Sequence, residues 1–586
     1  MTLLLKLFKL KLYYDINCGG DILQAGETTL NKLMNTSRQF IVPIFQRNYS
    51  WQQKQYEQLW LDILRASKFK EKQSHFIGSI VYIDMGTPAG RPQQLLLIDG
   101  QQRLTTLSIL LCALKDYLQI NEIPTNLINL AKLKNQFLYN ADEIDDDRYK
   151  LLLNIRDKET YVNLVDNTIF AVHQPAENIM ECYKFYYEQI NDYVNSGNNI
   201  DDIYVGIFKL SLVSISLDKD SDNPQMIFES MNSTGKDLSQ TDLLRNYLLM
   251  ELSPQEQNKL YKTYWKPMED LFYHEEIDKF DYFVRDFLTL KNKQGKICKI
   301  NQVYEVFKRY CYDNNCSKVD VLKELFIFAK YYAAMDLGQE VDKDLVYYWQ
   351  ELAKLDSKVT YPFFLQVYDD YVKRIIDKEQ FVIILKTTIS YLWRRALCEI
   401  PTNSLGKIFA MLYREVNVND YVNSVIKAYL FKSGYKRFPS DYEVREKLQT
   451  KNIYHFRLRR YLLEKLENHY HKEPIDLTKD NYTIEHIMPQ NIEENFSWKE
   501  MLGDNWQEVH TLYLHTLGNL TLTGYNAEMS NKSFKEKVQG SGGLKYSHLK
   551  LNEDIARCTS WDKKSILRRT NILTDLILDI WKYPSF

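Results

Sequence analysis

The segment Leu95-Leu96-Leu97-Ile98-Asp99-Gly100 constrains the fold more than any other stretch of this chain. Four apolar residues read as a strand, Asp-Gly as a tight turn, and the pattern that follows to about residue 117 as a helix. A strand that runs straight into a helix needs a sheet beside a helical layer, so this half of the chain cannot be all-helical. Phe40-Ile41-Val42, closed by Pro43, adds an extended run, and residues 76–83 (FIGSIVYI) and 210–217 add two more strands. Helices are predicted over 225–231 and 239–249. Asn232 and Gly235 suit the end of the first, and Asp237 or Ser239 the cap of the second.

From Pro254 to about residue 468 the pattern turns helical and rich in Tyr and Phe, as in Tyr282-Phe283-Val284-Arg285-Asp286-Phe287-Leu288. Aromatics at helical spacing read as core rather than as platforms for bases. At 586 residues the chain is too long for one core, and no Pro/Gly/Ser-rich linker marks a joint. The predicted class is multidomain α+β. It comprises an uninformative extension (1–21), a mixed domain (22–253), a helical middle (254–468) and a last domain (469–586). A formal net charge of −2 excludes a uniformly basic coat but leaves room for a local basic groove. The eight cysteines include no CxxC pair, and no histidine lies near Cys311 and Cys316 at zinc spacing. Reduced thiols in a cytoplasmic protein are therefore expected. Lys6, Lys9 and Lys11 break the apolar start of the chain, which argues against a signal peptide or membrane span.

The Asp-Gly turn is also the first place where chemistry is expected. A glycine lets backbone approach a ligand, and the helix N-terminus offers free N–H groups and a positive dipole end. Arg103 supplies a forked donor suited to a phosphate oxygen, Asp99 can hold a cation or orient a water, and Gln101 and Gln102 can position either. The pattern is neither GxxxxGK[ST] nor GxGxxG. Gln46, Arg47, Tyr49 and Trp51 form a second polar and aromatic group able to meet a phosphate and a base. Both groups have a plainer reading, as a turn with a helix cap and as a partly buried edge segment.

Near the C-terminus, Ile484-Glu485-His486-Ile487-Met488-Pro489-Gln490-Asn491 is answered by Gly518-Asn519-Leu520-Thr521-Leu522-Thr523-Gly524-Tyr525-Asn526. An imidazole can take a proton from water, and a carboxylate with an amide oxygen can hold a hard divalent cation. Together they make an inventory for phosphodiester hydrolysis. The alternative is a strand-end pair with a structural histidine.

Taken together, these motifs resemble a known family. FIVPIFQRNYSW, HFIGSIVY, LLLIDGQQRLTTL and FESMNSTGKDLSQTDLLRNYL occur in the order seen in GmrS-like N-terminal domains, and YTIEHIMPQN with HTLGNLTLTGYNAEMSNKSFKEK is similar to GmrD-like HNH nuclease domains. The resemblance is to modification-dependent (type IV) restriction enzymes of the GmrSD kind. It implies a ParB/sulfiredoxin-like first domain and a ββα-metal (HNH) last one. It further implies that Asp99, Gly100, Gln101, Gln102 and Arg103 serve a nucleotide site, Asp99 and Arg103 in its hydrolysis, with Gln46 and Arg47 nearby. His486 becomes the general base, Asn519 positions the histidine loop or the substrate, and Glu485 with Asn526 holds Mg²⁺ or Mn²⁺. Glu485 stands where many HNH enzymes have aspartate, and Asn531 rivals Asn526. Lys537 is a candidate DNA phosphate contact, or else a solvated surface lysine. The implied partners are double-stranded, modified phage DNA and a nucleoside triphosphate that gates cutting, with no membrane. A homodimer stays open, and so does a DNA-binding regulator that no longer cuts.

Overall fold

The computed structural model describes residues 24–70, 73–218, 224–232, 238–250, 252–272, 279–471, 482–524 and 529–585. The extension 1–21, the turn at 233–237 and Asn526 lie outside them. Contacts divide the chain into two compact units, one reaching to Asp270 and including Asn301–Phe326, the other formed by Leu271–Ile300 and Ile327–Phe586. This differs from the four segments read from the sequence, and the cause is side-chain packing. Within the first unit Gln225 donates to the Tyr304 hydroxyl at 2.8 Å, and Tyr247 meets Tyr304 and Phe307 edge-on at 6.3 and 6.2 Å. Those contacts return residues 301–326 to the mixed domain.

The first unit is built on one six-stranded sheet. Its strands are β1 (Gln24–Thr29), β2 (Arg38–Ile41), β3 (His75–Asp84), β4 (Gln93–Asp99), β5 (Leu151–Leu152) and β6 (Leu210–Leu217), in the order β1-β6-β3-β4-β2-β5. β3 lies antiparallel to β4 and parallel to β6, and β2 lies parallel to β4 and β5. The helices that matter here are α1 (Gln53–Ser67), α2 (Gln101–Asn121), α3 (Glu177–Asn195) and α4 (Gln240–Leu249). Apart from Arg103, every residue from Gln101 to Leu118 is buried. The run LTTLSILLCALKDYL carries almost no polar face, and such a helix can only be central. α2 packs along α3, and Tyr49 reaches it from the β2 side through a 2.8 Å hydrogen bond with Thr106. Of the two caps read from the sequence, Ser239 is the one seen: its hydroxyl accepts the N–H of Asp242 at 3.1 Å and starts α4.

The second unit joins the helical region to the C-terminal motifs. Helices α5 (Tyr361–Val372), α6 (Lys378–Leu397) and α7 (Tyr421–Leu430) supply an aromatic core, as the spacing predicts. They are followed by β7 (Thr483–His486), β8 (Leu520–Thr523), α8 (Phe534–Gln539), α9 (Lys550–Ala556) and the long α10 (Lys563–Ile580). The end of α10 returns to the helical region. Trp581 stacks on Trp393 at 4.2 Å, Arg394 Nε donates to the Trp581 carbonyl at 2.7 Å, and Arg445 pairs with Asp575 at 2.7 Å. Buried stacking of this kind ties the middle and last segments into one compact unit. Among the described residues no helix is long and apolar enough to cross a membrane.

Candidate functional site

Two constellations emerge, one in each unit. In the first, β4 delivers Asp99 to a turn at Gly100, whose φ of 88° is a left-handed conformation natural to glycine. α2 then begins, and its first two side chains face inward to hold the neighbouring loop. Gln101 Nε2 donates to Gln46 Oε1 at 2.9 Å, and Gln46 Nε2 donates to the Ile98 carbonyl at 2.9 Å. Gln102 accepts the Ser50 N–H at 2.7 Å and donates to the Asn48 carbonyl at 3.0 Å. The three glutamines therefore shape the site, their amides being committed to backbone and to each other. Arg103 Nη1 donates to the Ser79 carbonyl at 2.7 Å, crossing β3 where its pairing with β6 is irregular. Gly78 makes that crossing possible, since a Cβ there would stand 2.7 Å from Arg103 Nη2.

Charge at this turn is concentrated and dry. Burial pushes the Asp99 carboxyl up, against the pull of Arg103, the Gly100 N–H and Arg47. Burial likewise lowers the Arg103 and Arg47 guanidiniums, opposed for Arg103 by Asp99 and for Arg47 chiefly by Asp242. The Arg47 Nε is buried with no hydrogen-bond partner among the described residues. A buried guanidinium N–H without an acceptor is costly, and an anion is the group that relieves it.

Sequence reasoning passed over Arg245. This buried side chain donates from Nε to the Phe45 carbonyl at 2.7 Å, from Nη1 to Glu269 at 2.5 Å and from Nη2 to Asp242 at 2.6 Å. It pins the backbone immediately before Gln46 and Arg47. The signal was the Asp242-to-Arg245 spacing in TDLLR, which places both on one helix face.

In the second constellation β7 runs antiparallel to β8, with Glu485 opposite Thr521 and His486 opposite Leu520. Asn519, fully buried, locks the turn after β7. Its Oδ1 accepts the Met488 N–H at 2.8 Å and the Trp561 indole N–H at 3.1 Å. Its Nδ2 donates to the Met488 and Leu514 carbonyls at 3.0 and 2.8 Å. With all four bonds made to protein, Asn519 holds the histidine loop and has no group left for a substrate. Gly518 is required by proximity: a Cβ there would lie 2.2 Å from the Ile566 carbonyl oxygen of α10.

His486 meets two neighbours. Its Nε2 lies 3.0 Å from His515 Nδ1, and its Nδ1 lies 3.1 Å from Gln490 Nε2. Burial, joined by His515, Lys537, His455 and His510, holds its pKa at about 3, so the ring is neutral at neutral pH. Burial and His455 also lower the pKa of His515. Tyr454 stacks on the His515 ring at 5.3 Å, and the N–H groups of Ile453 and Tyr454 donate to the His515 carbonyl at 2.8 and 3.3 Å. His515 stands within the HTLGNLTL motif, but spacing alone gave it no role.

Lys537 corrects an expectation. It is a buried residue of α8, neither a solvated surface lysine nor free to meet DNA. Its ammonium is ion-paired with the Glu485 carboxylate and donates to the His486 carbonyl at 2.8 Å. An unpaired carboxylate in this pocket would be strongly disfavoured, which is why the lysine folds inward. Burial pushes the Glu485 carboxyl up and the Lys537 ammonium down, each resisted by the other. The Glu485 carboxylate is the right kind of donor for Mg²⁺ or Mn²⁺. Among the described residues, however, no three His, Cys, Asp or Glu side chains gather to complete a metal site, and Asn526 lies outside them. Asn531 is exposed, and its carbonyl accepts from Asn495 Nδ2 at 2.9 Å.

Residues 30–249 match the family model described as GmrSD restriction endonuclease, N-terminal domain, and residues 438–576 match that described as GmrSD restriction endonucleases, C-terminal domain. No curated protein matches the chain.

Proposed function

This chain belongs to the GmrSD restriction endonuclease family, and from that premise we propose that its C-terminal site hydrolyses phosphodiesters in double-stranded DNA with His486 as general base. In this reading β7, β8 and α8 are the elements of a ββα-metal nuclease. The observation that carries it is the placement of the His486 ring, beside Glu485 at the end of β7, with Gln490 at its Nδ1 and Asn519 holding the loop that follows it. The ring takes a proton from water as the water oxygen bonds to phosphorus and the bond to the 3′ oxygen breaks. A divalent cation, Mg²⁺ or Mn²⁺, would be held by Glu485 with Asn526 and would neutralise charge on the leaving oxygen.

The N-terminal unit, read as a ParB/sulfiredoxin-like domain, is the regulatory half of this proposal. Asp99, Gly100 and Arg103 would border a triphosphate, Gln46, Gln101 and Gln102 would keep the loop in shape, and Arg47 would offer its unpartnered Nε to a phosphate oxygen. Hydrolysis there licenses or restrains cutting of modified phage DNA in the cytoplasm. Asp99→Ala should lower nucleoside triphosphate turnover by roughly 100-fold, the scale of losing one organising charge in a dry site. Phosphate release by the purified full chain measures it, and turnover at the wild-type rate would remove the nucleotide assignment.

The direct test of the function is digestion of a panel of differently modified phage DNAs, with and without each nucleoside triphosphate. Parallel reactions contain EDTA or restored Mg²⁺ or Mn²⁺. Cutting of modified DNA should vanish with EDTA and return with either cation. DNA binding without cutting in every reaction would replace the nuclease with a nucleotide-switched regulator. Cutting undiminished in EDTA would remove the cation.

A further inference from the structure

We propose that His515 is a positioning residue that fixes the tautomer of His486 and thereby decides which ring nitrogen acts as the base. The inference rests on the reading of His486 as general base. Gln490 approaches Nδ1 of His486 with its amide nitrogen, at 3.1 Å, and an amide nitrogen can only donate. Nδ1 therefore presents its lone pair, and the ring proton of the neutral imidazole sits on Nε2. That proton points at His515 Nδ1, 3.0 Å away, which must accept it. His515 in turn carries its own proton on Nε2.

The acceptor is held from three directions. Its ring stacks on Tyr454 with planes 14° apart, His455 meets its edge at 5.0 Å, and its carbonyl takes two backbone N–H groups from residues 453 and 454. A stacked, backbone-anchored imidazole cannot rotate its Nδ1 away cheaply, so the direction of the acceptor is built in. In the free protein the Gln490 amide occupies the place at Nδ1 that an attacking water would take. When His486 takes a proton, the new N–H forms on Nδ1. The Nε2–H···His515 bond then strengthens, because its donor has become cationic. Once water replaces the Gln490 amide at Nδ1, only His515 still favours the Nε2–H tautomer; without it the ring would populate both, and the Nδ1–H form has no lone pair on the nitrogen that must accept the proton.

Two variants separate this role from packing. His515→Phe keeps a ring against Tyr454 but has no acceptor, whereas His515→Asn loses the ring but keeps an oxygen that can accept from Nε2. Both are made in the full chain, with histidine ring nitrogens labelled with ¹⁵N. DNA cutting is followed with KM and kcat resolved. In His515→Phe, kcat should fall by roughly 100-fold with KM near wild type, the scale of losing a correctly oriented general base. The His486 ring shifts should move from a single Nε2–H tautomer to a mixture. His515→Asn should recover at least about tenfold of that loss and the single tautomer. The reverse order, with Phe active and Asn inactive, would assign His515 to packing. An unchanged tautomer in His515→Phe would overturn the proposal directly, even if the enzyme were inactive. His486→Ala, run alongside, keeps the outcomes distinct: if it still cuts, the reading of His486 itself fails and this one falls with it.

Discussion

His486→Ala is expected to lower DNA cutting by roughly 100- to 10,000-fold while leaving nucleotide turnover and DNA binding at wild-type levels, the range covered by removing one general base. The site contains other imidazoles, so the question is why none of them would substitute. His515 presents Nδ1 to His486 itself, and the His510 ring lies 2.9 Å from the Pro489 carbonyl. Only His486 lies on β7 beside the Glu485 carboxylate, with a ring nitrogen facing a replaceable amide rather than the fold. The substitution removes no backbone contact of the loop, because Asn519 bonds to Met488 and not to the ring. A folded variant is therefore expected, with a cooperative but lowered melting transition, since the buried ring also packs against Tyr454. Plasmid and phage-DNA cleavage at fixed nucleotide and cation concentrations gives the measurement. Undiminished cleavage would move the base elsewhere and take the nuclease assignment with it.

The second large effect concerns stability. Arg569, on α10, is fully buried, and its guanidinium donates to the carbonyls of Gly518 at 2.9 Å, Leu520 at 2.7 Å and Leu551 at 3.2 Å. Burial pushes its pKa down to about 10, so it still carries its charge at neutral pH. One side chain thus ties the turn before β8, β8 itself and α9 to the longest helix of the region. Arg569→Met would keep the volume but strip these buried carbonyls of the guanidinium that joins them, at a cost of about 3–5 kcal/mol. Gly518→Ala attacks the same junction by steric means, since its Cβ would lie 2.2 Å from the Ile566 carbonyl and 2.4 Å from Thr570 Oγ1. Hydrogen–deuterium exchange should rise across residues 517–523 in both variants while the sheet of the first unit keeps its protection. Wild-type protection across 517–523 in Arg569→Met would show that solvent or a neighbouring donor replaces the guanidinium.

Much of this was legible because local and tertiary demands agreed. The strand at 210–217 and the strand-turn-helix at Asp99 appear at almost the predicted bounds, since apolar runs, a left-handed Gly100 and a helix buried almost all round admit few alternatives. β1 and β5 are not legible in the sequence because their residues carry no alternating pattern. QAGETT is a strand only by its pairing with β6, and Leu151–Leu152 only by its pairing with β2. The inward turn of Lys537 is hidden from the sequence for a related reason. Nothing in SFKEK distinguishes an inward lysine from an outward one until Glu485 is known to stand opposite. Spacing shows the Asp242 partner of Arg245 but not Glu269, 24 residues on, and it shows no partner for His515, whose His486 is 29 residues away in sequence. Spacing finds neighbours along a helix; it does not find partners brought together by a core.

The two backbone N–H groups of Ile453 and Tyr454 on the His515 carbonyl bear on how such a protein can be cut and recombined. A boundary at residue 469, natural to the eye because the EH motif follows soon after, would sever that strap from the histidines it braces. The C-terminal match begins at residue 438, upstream of the strap. Whatever exchanges this nuclease as a cassette, in evolution or at the bench, must carry the strap with it. A graft that starts later would bring His486 and His515 without the backbone bonds that hold the second of them.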